Sequence, residues 1–259
     1  MKISIITVCY NMADTIEDSI RSVLSLSYDN VEYIIIDGGS TDGTDTVISR
    51  HGSHVAYYVS EPDQGMYDAL NKGIERSTGD VIGVLHADDL FYDTAVLSSV
   101  AEVFCDPDID CCWGDLVYVN KKKTDSIIRY WKSSPYSDER IKNGWMMPHP
   151  TLFVRRHVFE RYGHYDTSFT IAADYDLILR LLYVKKVRGK YIDRVITKMR
   201  IGGTSNRTLL SILRKSREDI RVLEKNKVRG VLRAVFLKNI LKLPQFFIRK
   251  RESVISTAE

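Results

Sequence analysis

The sequence predicts an α/β protein with a mostly parallel central sheet flanked by helices. Two observations carry this. Apolar, β-branched runs of strand length alternate with segments of helical spacing, giving three β-α repeats within about the first 90 residues. The first strands are also continuous apolar runs, the pattern of strands buried on both faces of a parallel sheet. Such repeats are joined by right-handed crossovers, and ligands of open sheets bind outside the carboxyl ends of the strands.

Taken in order, Ile3 to Cys9 (ISIITVC) is the first strand. Asn11 to Leu26 has helical spacing, with Ile16, Ile20, Val23 and Leu24 on one side and Asp14 and Thr15 as candidate caps. Val31 to Ile36 is a second strand that stops at Asp37. Thr44 to Arg50 reads as a short helix and His54 to Val59 as a short strand. Gly65 to Arg76 is a helix with Met66, Ala69, Leu70 and Ile74 as its apolar stripe. Val81 to Leu85 is a strand ending at His86-Ala87-Asp88-Asp89. Beyond that point the pattern loosens. Thr94 to Phe104, Arg156 to Tyr162 and Asp174 to Tyr183 read as helices, and Asp110 to Val119 and Ser126 to Trp131 as strands.

The chain has 259 residues, 44% of them hydrophobic and 27% charged, which excludes disordered, collagen-like and fully membrane-embedded classes. No apolar run reaches the roughly 18 residues of a spanning helix. The apolar start is too short and too soon interrupted, at Asn11 and Asp14, for a signal peptide. The four cysteines lack CxxC spacing, so a reduced cytoplasmic chain is expected. The net charge of +3 is unevenly spread: residues 207–259 hold 14 Lys and Arg against 5 Asp and Glu. An acidic body, 1–206, is thus followed by a basic tail, 207–259, with the boundary expected in the loop Gly202 to Asn206. Val231 to Arg251 has the make-up of a basic amphipathic helix with aromatics, suited to an anionic membrane surface or to packing on the body. No recognised nucleic-acid fold accompanies the charge.

Four places could carry chemistry. Asp37-Gly38-Gly39-Ser40-Thr41-Asp42-Gly43-Thr44 sets a carboxylate at a strand tip before glycines and a helix start, where backbone can approach a nucleotide. A capped tight turn has the same composition. A dinucleotide-binding reading requires GxGxxG after the first strand, and Cys9-Tyr10-Asn11-Met12 has no glycine. Asp88-Asp89 closes another strand. Adjacent carboxylates on extended backbone point apart, so one can meet a sugar hydroxyl while the other binds a hard cation; the bland alternative is a pair of acids at a helix start. Asp174-Tyr175-Asp176 opens an apolar helix, as a cap or as a general base, and only one of the two acids can face a pocket. His149 stands between Pro148 and Pro150, on stiff extended backbone.

Together these stretches resemble the inverting glycosyltransferases of family 2, with the Rossmann-like GT-A fold. The matching segments are Ile3 to Asn11, Asp37 to Thr44, Glu61 to Gly73, Gly79-Asp80, Ala87-Asp88-Asp89, Pro148-His149-Pro150, Ala173 to Leu177 and Gly202-Gly203-Thr204-Ser205, ordered over residues 1–206. The nearest likeness is to bacterial enzymes that build O-antigen, capsule and exopolysaccharide units. The resemblance implies that Thr7, Tyr10, Asn11 and Asp37 hold the base and ribose of a nucleotide, with Asp42, Asn71 and Lys72 lining the same pocket. It implies that Asp88 contacts the ribose or donor sugar, that Asp89 binds Mn²⁺ or Mg²⁺ across the diphosphate, and that Asp174 is the base acting on the acceptor hydroxyl. His149 is expected near the diphosphate or the acceptor. Two positions depart from the pattern: His86 stands where a carboxylate is common, and Ala173 where a glutamate is common.

The expected activity is metal-dependent, inverting transfer from a nucleotide sugar, with UDP as the carrier, to a saccharide on polyprenyl diphosphate at the cytoplasmic face of the inner membrane. A cation would neutralise the leaving diphosphate, and a carboxylate would take the acceptor's proton. With one base and no opposed nucleophilic carboxylate, displacement is direct and inverts, unlike the two-carboxylate retaining route. Two rivals are a nucleotidyltransferase, for which the acidic Asp42 loop is unsuited, and a catalytically silent sugar-nucleotide-binding subunit of a polysaccharide assembly complex.

Overall fold

The computed structural model describes residues 1–202 and 209–240. Strands β1 (Ile3–Cys9), β2 (Val31–Asp37), β3 (Tyr57–Ser60) and β4 (Val81–Val84) are parallel, in the spatial order β3-β2-β1-β4. The sheet continues through β8 (Phe153–Arg155), β6 (Cys111–Val119), β9 (Gly189–Arg200) and β5 (Leu90–Phe91), with β7 (Ile127–Trp131) paired to β6. Helices α1 (Ile16–Leu24), α2 (Thr44–Ser49), α3 (Met66–Arg76), α4 (Val96–Val103), α5 (Asp138–Lys142), α6 (Arg156–Tyr162), α7 (Ala173–Ile178), α8 (Leu209–Lys225) and α9 (Val231–Ile240) complete the chain. This mixed sheet with helices on both sides agrees with the α/β architecture expected from the sequence.

The continuous apolar strands are explained by their two covered faces. In β1, Ile3, Ile5 and Cys9 join one buried cluster with Tyr33 and Ile35, sealed by α1, α2 and α4. Ile6 and Val8 point the other way, with Ile34 and Ile36, into the cluster sealed by α3, α6 and α7. Val222 and Leu223 of α8, Val228, and Ala234 of α9 lie in that same second cluster. Gly144 (φ +80°) lets α9 approach: a Cβ there would meet the Ala234 carbonyl oxygen at 2.4 Å and the Lys238 nitrogen at 2.5 Å.

Three boundaries differ from expectation. Helix α1 begins at Ile16 because Asn11 sits in the left-handed region (φ 54°) and the chain turns through Met12 to Thr15 first. The third strand starts at Tyr57, since residues Gly52–His54 close a 3₁₀ turn. The helix opened by Asp174 is α-helical only to Ile178 and then widens into a π-helical stretch, Leu179–Val184, where Lys185 N–H donates to the Arg180 carbonyl. Of the expected boundary loop, Gly203 to Asn206 lie outside the described residues, as do residues 241–251 of the expected amphipathic helix.

Candidate active site

The four parallel strands end together, so Tyr10-Asn11, Asp37 to Thr44, Ser60 to Gly65 and Leu85 to Asp89 share one sheet edge. Asp37 is the hub of the first two loops. Its buried carboxylate accepts from the Ser40 N–H (2.9 Å), the Ser40 hydroxyl, the Ser60 hydroxyl (2.6 Å) and the Cys9 thiol (3.4 Å). Burial would raise its pKa, but these donors hold it below the ordinary value. Asp42 accepts from the Ala13 and Thr44 N–H groups, both at 3.0 Å, tying the loop after β1 to the start of α2. Asn11 N–H donates to the Ser40 hydroxyl (2.8 Å), and its side-chain oxygen accepts from Thr41 N–H (2.9 Å). The missing Cβ of Gly38 lets Asp63 and Tyr10 come close: a Cβ there would lie 2.5 Å from Asp63 Oδ2 and 3.4 Å from the Tyr10 ring. Tyr10 itself is 59% exposed at this edge.

Other residues singled out in the sequence are engaged internally. Thr7 is buried in β1 and accepts from the Tyr33 hydroxyl (3.1 Å). Asn71 gives both ends of its amide to the Tyr165 backbone, each at 2.9 Å. Lys72 pairs with Glu61 at 2.8 Å.

At the tip of β4, Asp88 is partly exposed and Asp89 is 0% exposed. Asp89 Oδ1 accepts from Arg200 N–H (3.3 Å), while Oδ2 is buried without a hydrogen-bond partner. Burial, then the charge of Asp88, pushes the Asp89 pKa well up, and burial also raises that of Asp88. Arg200, the last residue of β9, braces the turn. Its guanidinium donates to the Asp88 carbonyl (3.2 Å), the Lys121 carbonyl (3.1 Å) and the Asp18 carboxylate. Two close carboxylates, one with an orphaned buried oxygen, form a donor set that fits a hard divalent cation. Among the described residues no group of three or more His, Cys, Asp or Glu forms a cage, so ligand oxygens would have to complete the coordination.

Asp174 lies at the first turn of α7 and lines a cavity of about 440 Å³. His149 Nδ1 is 3.0 Å from Asp174 Oδ2, and His149 Nε2 is 3.2 Å from His86 Nε2. The Tyr67 hydroxyl, which donates to the Ile171 carbonyl (2.8 Å), is 3.3 Å from Asp174 Oδ1. Burial works to raise the Asp174 pKa, but the His149 ring and then Lys238 outweigh it and hold the carboxyl at about 2. Burial and the neighbouring His149 hold His86 at about 3, so His86 is a neutral imidazole near pH 7. With Nδ1–H of His149 donating to Asp174, a neutral His149 accepts at Nε2 from His86, and a protonated one donates to it. His149 is held in place by its own turn: the buried Thr151 hydroxyl binds the Pro148 (2.7 Å) and Gly114 (3.1 Å) carbonyls.

Asp176 faces the opposite way and is fully buried. It accepts from Asn226 Nδ2 and Lys225 Nζ of the α8 end, both at 2.9 Å. Glu218 of α8 accepts from the Thr170, Ile171 and Ala172 N–H groups at 3.1, 2.8 and 2.9 Å, fixing the entry to α7. Sequence reading singled out His86 only as a departure from the family pattern and passed over Arg200, Glu218 and Lys238, which reach the site only through the fold.

A family profile described as glycosyl transferase family 2 matches residues 4–163. The chain belongs to glycosyl transferase family 2. This glycosyltransferase is 32% identical over 185 residues to an uncharacterised glycosyltransferase of Mycobacterium tuberculosis, covering 70% of this chain and 69% of that one. It is 27% identical over 207 residues to a PGL/p-HBAD biosynthesis glycosyltransferase of Mycobacterium bovis, covering 78% of each. In fold it is similar to a mannosyltransferase of Pyrobaculum calidifontis in complex with GDP-Man and Mn²⁺ (TM-score 0.65, 17% identity, 95% of this chain and 73% of that one). It is also similar to S. aureus TarS in complex with UDP-GlcNAc (TM-score 0.67, 15% identity, 88% and 66%).

Proposed function

We propose that this glycosyltransferase moves a sugar from a nucleotide sugar, with UDP as the carrier, onto a lipid-linked saccharide in bacterial surface polysaccharide synthesis, with inversion. The observation that carries the reading is Asp174: an ionised carboxylate, oriented by His149, that faces a cavity beside the sheet edge of Asp88-Asp89. The Mn²⁺ and nucleotide sugars of the two structural neighbours support the same donor class and a divalent cation here.

In this reading the loops tied by Asp37 and Asp42, with Tyr10, Asn11 and Lys72, hold the base and ribose, and Thr7 and Asn71 support them from within. Asp88 contacts the ribose or donor sugar. Asp89 holds Mn²⁺ or Mg²⁺, which when bound neutralises charge on the leaving diphosphate. Asp174 takes the proton from the acceptor hydroxyl as that oxygen attacks the anomeric carbon, and the nucleoside diphosphate leaves on the opposite side. His149 fixes the carboxylate through its contact with Asp174 Oδ2.

The acceptor is carried on polyprenyl diphosphate, and the chain works at the cytoplasmic face of the inner membrane. Among the described residues no helix is long and apolar enough to cross a membrane. Leu232 and Phe236 of α9 are 77% and 65% exposed, and with Ile240 they form an i, i+4, i+8 stripe in the basic tail, which supports peripheral docking.

The test is release of nucleoside diphosphate from a panel of nucleotide sugars, with and without Mn²⁺, in the presence of a synthetic lipid-diphosphate-GlcNAc acceptor. Cation-dependent release from one UDP-sugar is expected. Clear UDP binding with no release from any donor and no transfer would favour the silent-subunit rival.

A further inference from the structure

The three tryptophans of the chain divide by what their indoles meet. Trp113 is fully buried, and its Nε1–H donates to the Ser134 carbonyl at 3.1 Å. Trp131 and Trp145 are half-buried, and both line the cavity that holds Asp174. Neither of these two indole N–H groups meets an acceptor among the described residues. An indole is amphipathic, and its N–H ordinarily finds a partner once the ring is packed away; a free one beside a cavity suits a ligand. Two hydroxyls of the same lining are in the same condition. Ser133 (6% exposed) and Tyr175 (1% exposed) each bury their side-chain oxygen without a hydrogen-bond partner.

Each ring is held by its own segment. Trp131 ends β7, where its backbone pairs with Leu116 of β6. It joins none of the apolar clusters among the described residues, so its ring does not fill the core. Trp145 follows Gly144, and its backbone N–H donates to the Arg140 carbonyl at 2.9 Å. Its ring stands edge-to-face with Trp113 (6.0 Å, 65°) and Tyr136 (6.3 Å, 62°), which fixes its plane. The short segment from Gly144 to His149 thus carries both one indole and the partner of Asp174.

A ligand here has to satisfy rings and unmet polar groups together. A pyranose does so, with an apolar C–H face to lie on an indole and hydroxyls around its rim. An acyl chain would cover the rings but strand the polar groups away from water. A nucleobase would stack, but Tyr10, Asn11, Asp37 and Asp42, the residues read as its pocket, do not line this cavity.

We propose that Trp131 and Trp145 form the subsite for the acceptor's sugar. The C–H face of a pyranose lies on an indole, and its hydroxyls engage the two indole N–H groups, Ser133 and Tyr175. The hydroxyl to be extended is thereby turned to Asp174. This rests on the reading of Asp174 as the base, and it makes the sugar, not its carrier, the feature by which the acceptor is selected.

The test is saturation-transfer NMR on the full chain with UDP and Mg²⁺, using three carrier-free probes: the methyl β-glycosides of glucose, galactose and N-acetylglucosamine. At least one should bind, with transfer concentrated on the hydrogens of one ring face. Trp131→Leu and Trp145→Leu should each weaken that binding by about tenfold, and the corresponding Phe variants by less. UDP affinity should stay at the native value in every variant, which also shows that each one folds. Absence of binding by all three glycosides, or binding unaltered in both Leu variants, overturns the proposal. Transfer by Asp174→Asn separates the two claims. Native transfer with intact stacking removes the base alone, whereas lost transfer with glycoside binding indifferent to both tryptophans removes the subsite alone.

Discussion

His149 Nδ1 lies 3.0 Å from Asp174 Oδ2, joining a proline-braced turn to the first turn of α7. The second ring nitrogen of His149 reaches His86 at the end of β4, so one imidazole links the cavity to the sheet edge that carries Asp88 and Asp89. Orientation and charge of the proposed base are therefore set by a residue whose own position depends on Thr151 and β6.

Replacing His149 should shift the pH dependence of turnover. Burial raises the Asp174 pKa, and the His149 ring is the main influence that brings it to about 2. In His149→Gln the burial remains while the ring is gone, so the folded pKa rises above its present value. The basic form is then lost at higher pH, and the acid limb of the kcat/KM profile moves upward. In the native chain a depressed carboxylate pKa also contributes stability that is full above the ordinary value near 4 and is lost as pH falls toward about 2. Kinetic profiles of both proteins between pH 4 and pH 9 check the first point, and an unmoved limb would remove His149 from the role.

Glu218 acts on the same segment from α8. Glu218→Ala leaves three N–H groups at Thr170, Ile171 and Ala172 without their acceptor. A loss of about 2 kcal/mol is expected from hydrogen bonds to a charged group. For a chain of this size that corresponds to about 4–8 °C in Tm. Thermal unfolding reads it directly, and a Tm unchanged within about 1 °C would show that water replaces the carboxylate.

Asp89→Ala should weaken donor binding only where the divalent cation contributes. UDP titrations with and without Mn²⁺ are expected to show a strong cation effect in the native chain and little in the variant. An equal cation effect in both proteins would move the cation away from Asp89, whose buried Oδ2 would then need another partner.

The exposed stripe on α9 gives a separate test. Leu232→Glu with Phe236→Glu should reduce sedimentation with phosphatidylglycerol vesicles, while UDP binding is unaffected. Both side chains are largely solvent-exposed, so the double variant should fold. Retained sedimentation would take α9 out of membrane docking.

The sequence carried some of these features far better than others, for physical reasons. Strand β1 was legible because burial of both faces forces an unbroken apolar run, and Asp37, Asp88 and Asp89 followed from knowing where such strands end. The start of α1 was set too early because Asn11 takes a left-handed conformation inside a helical pattern. The role of α8 was hidden. Nothing in the local pattern marks Glu218 and Lys225, because their partners lie 46 to 59 residues away. Asp219 and Lys238 likewise look like surface charges until two helices fold against each other and bury them.

The most direct test of the central claim is a paired measurement on Asp174→Asn: affinity for UDP and rate of sugar transfer. The substitution keeps the side chain's shape and removes the basic oxygen. The account predicts an unchanged UDP affinity with transfer reduced by about 10²–10⁴-fold, the usual contribution of a general base. Transfer at the native rate would contradict the assignment of Asp174.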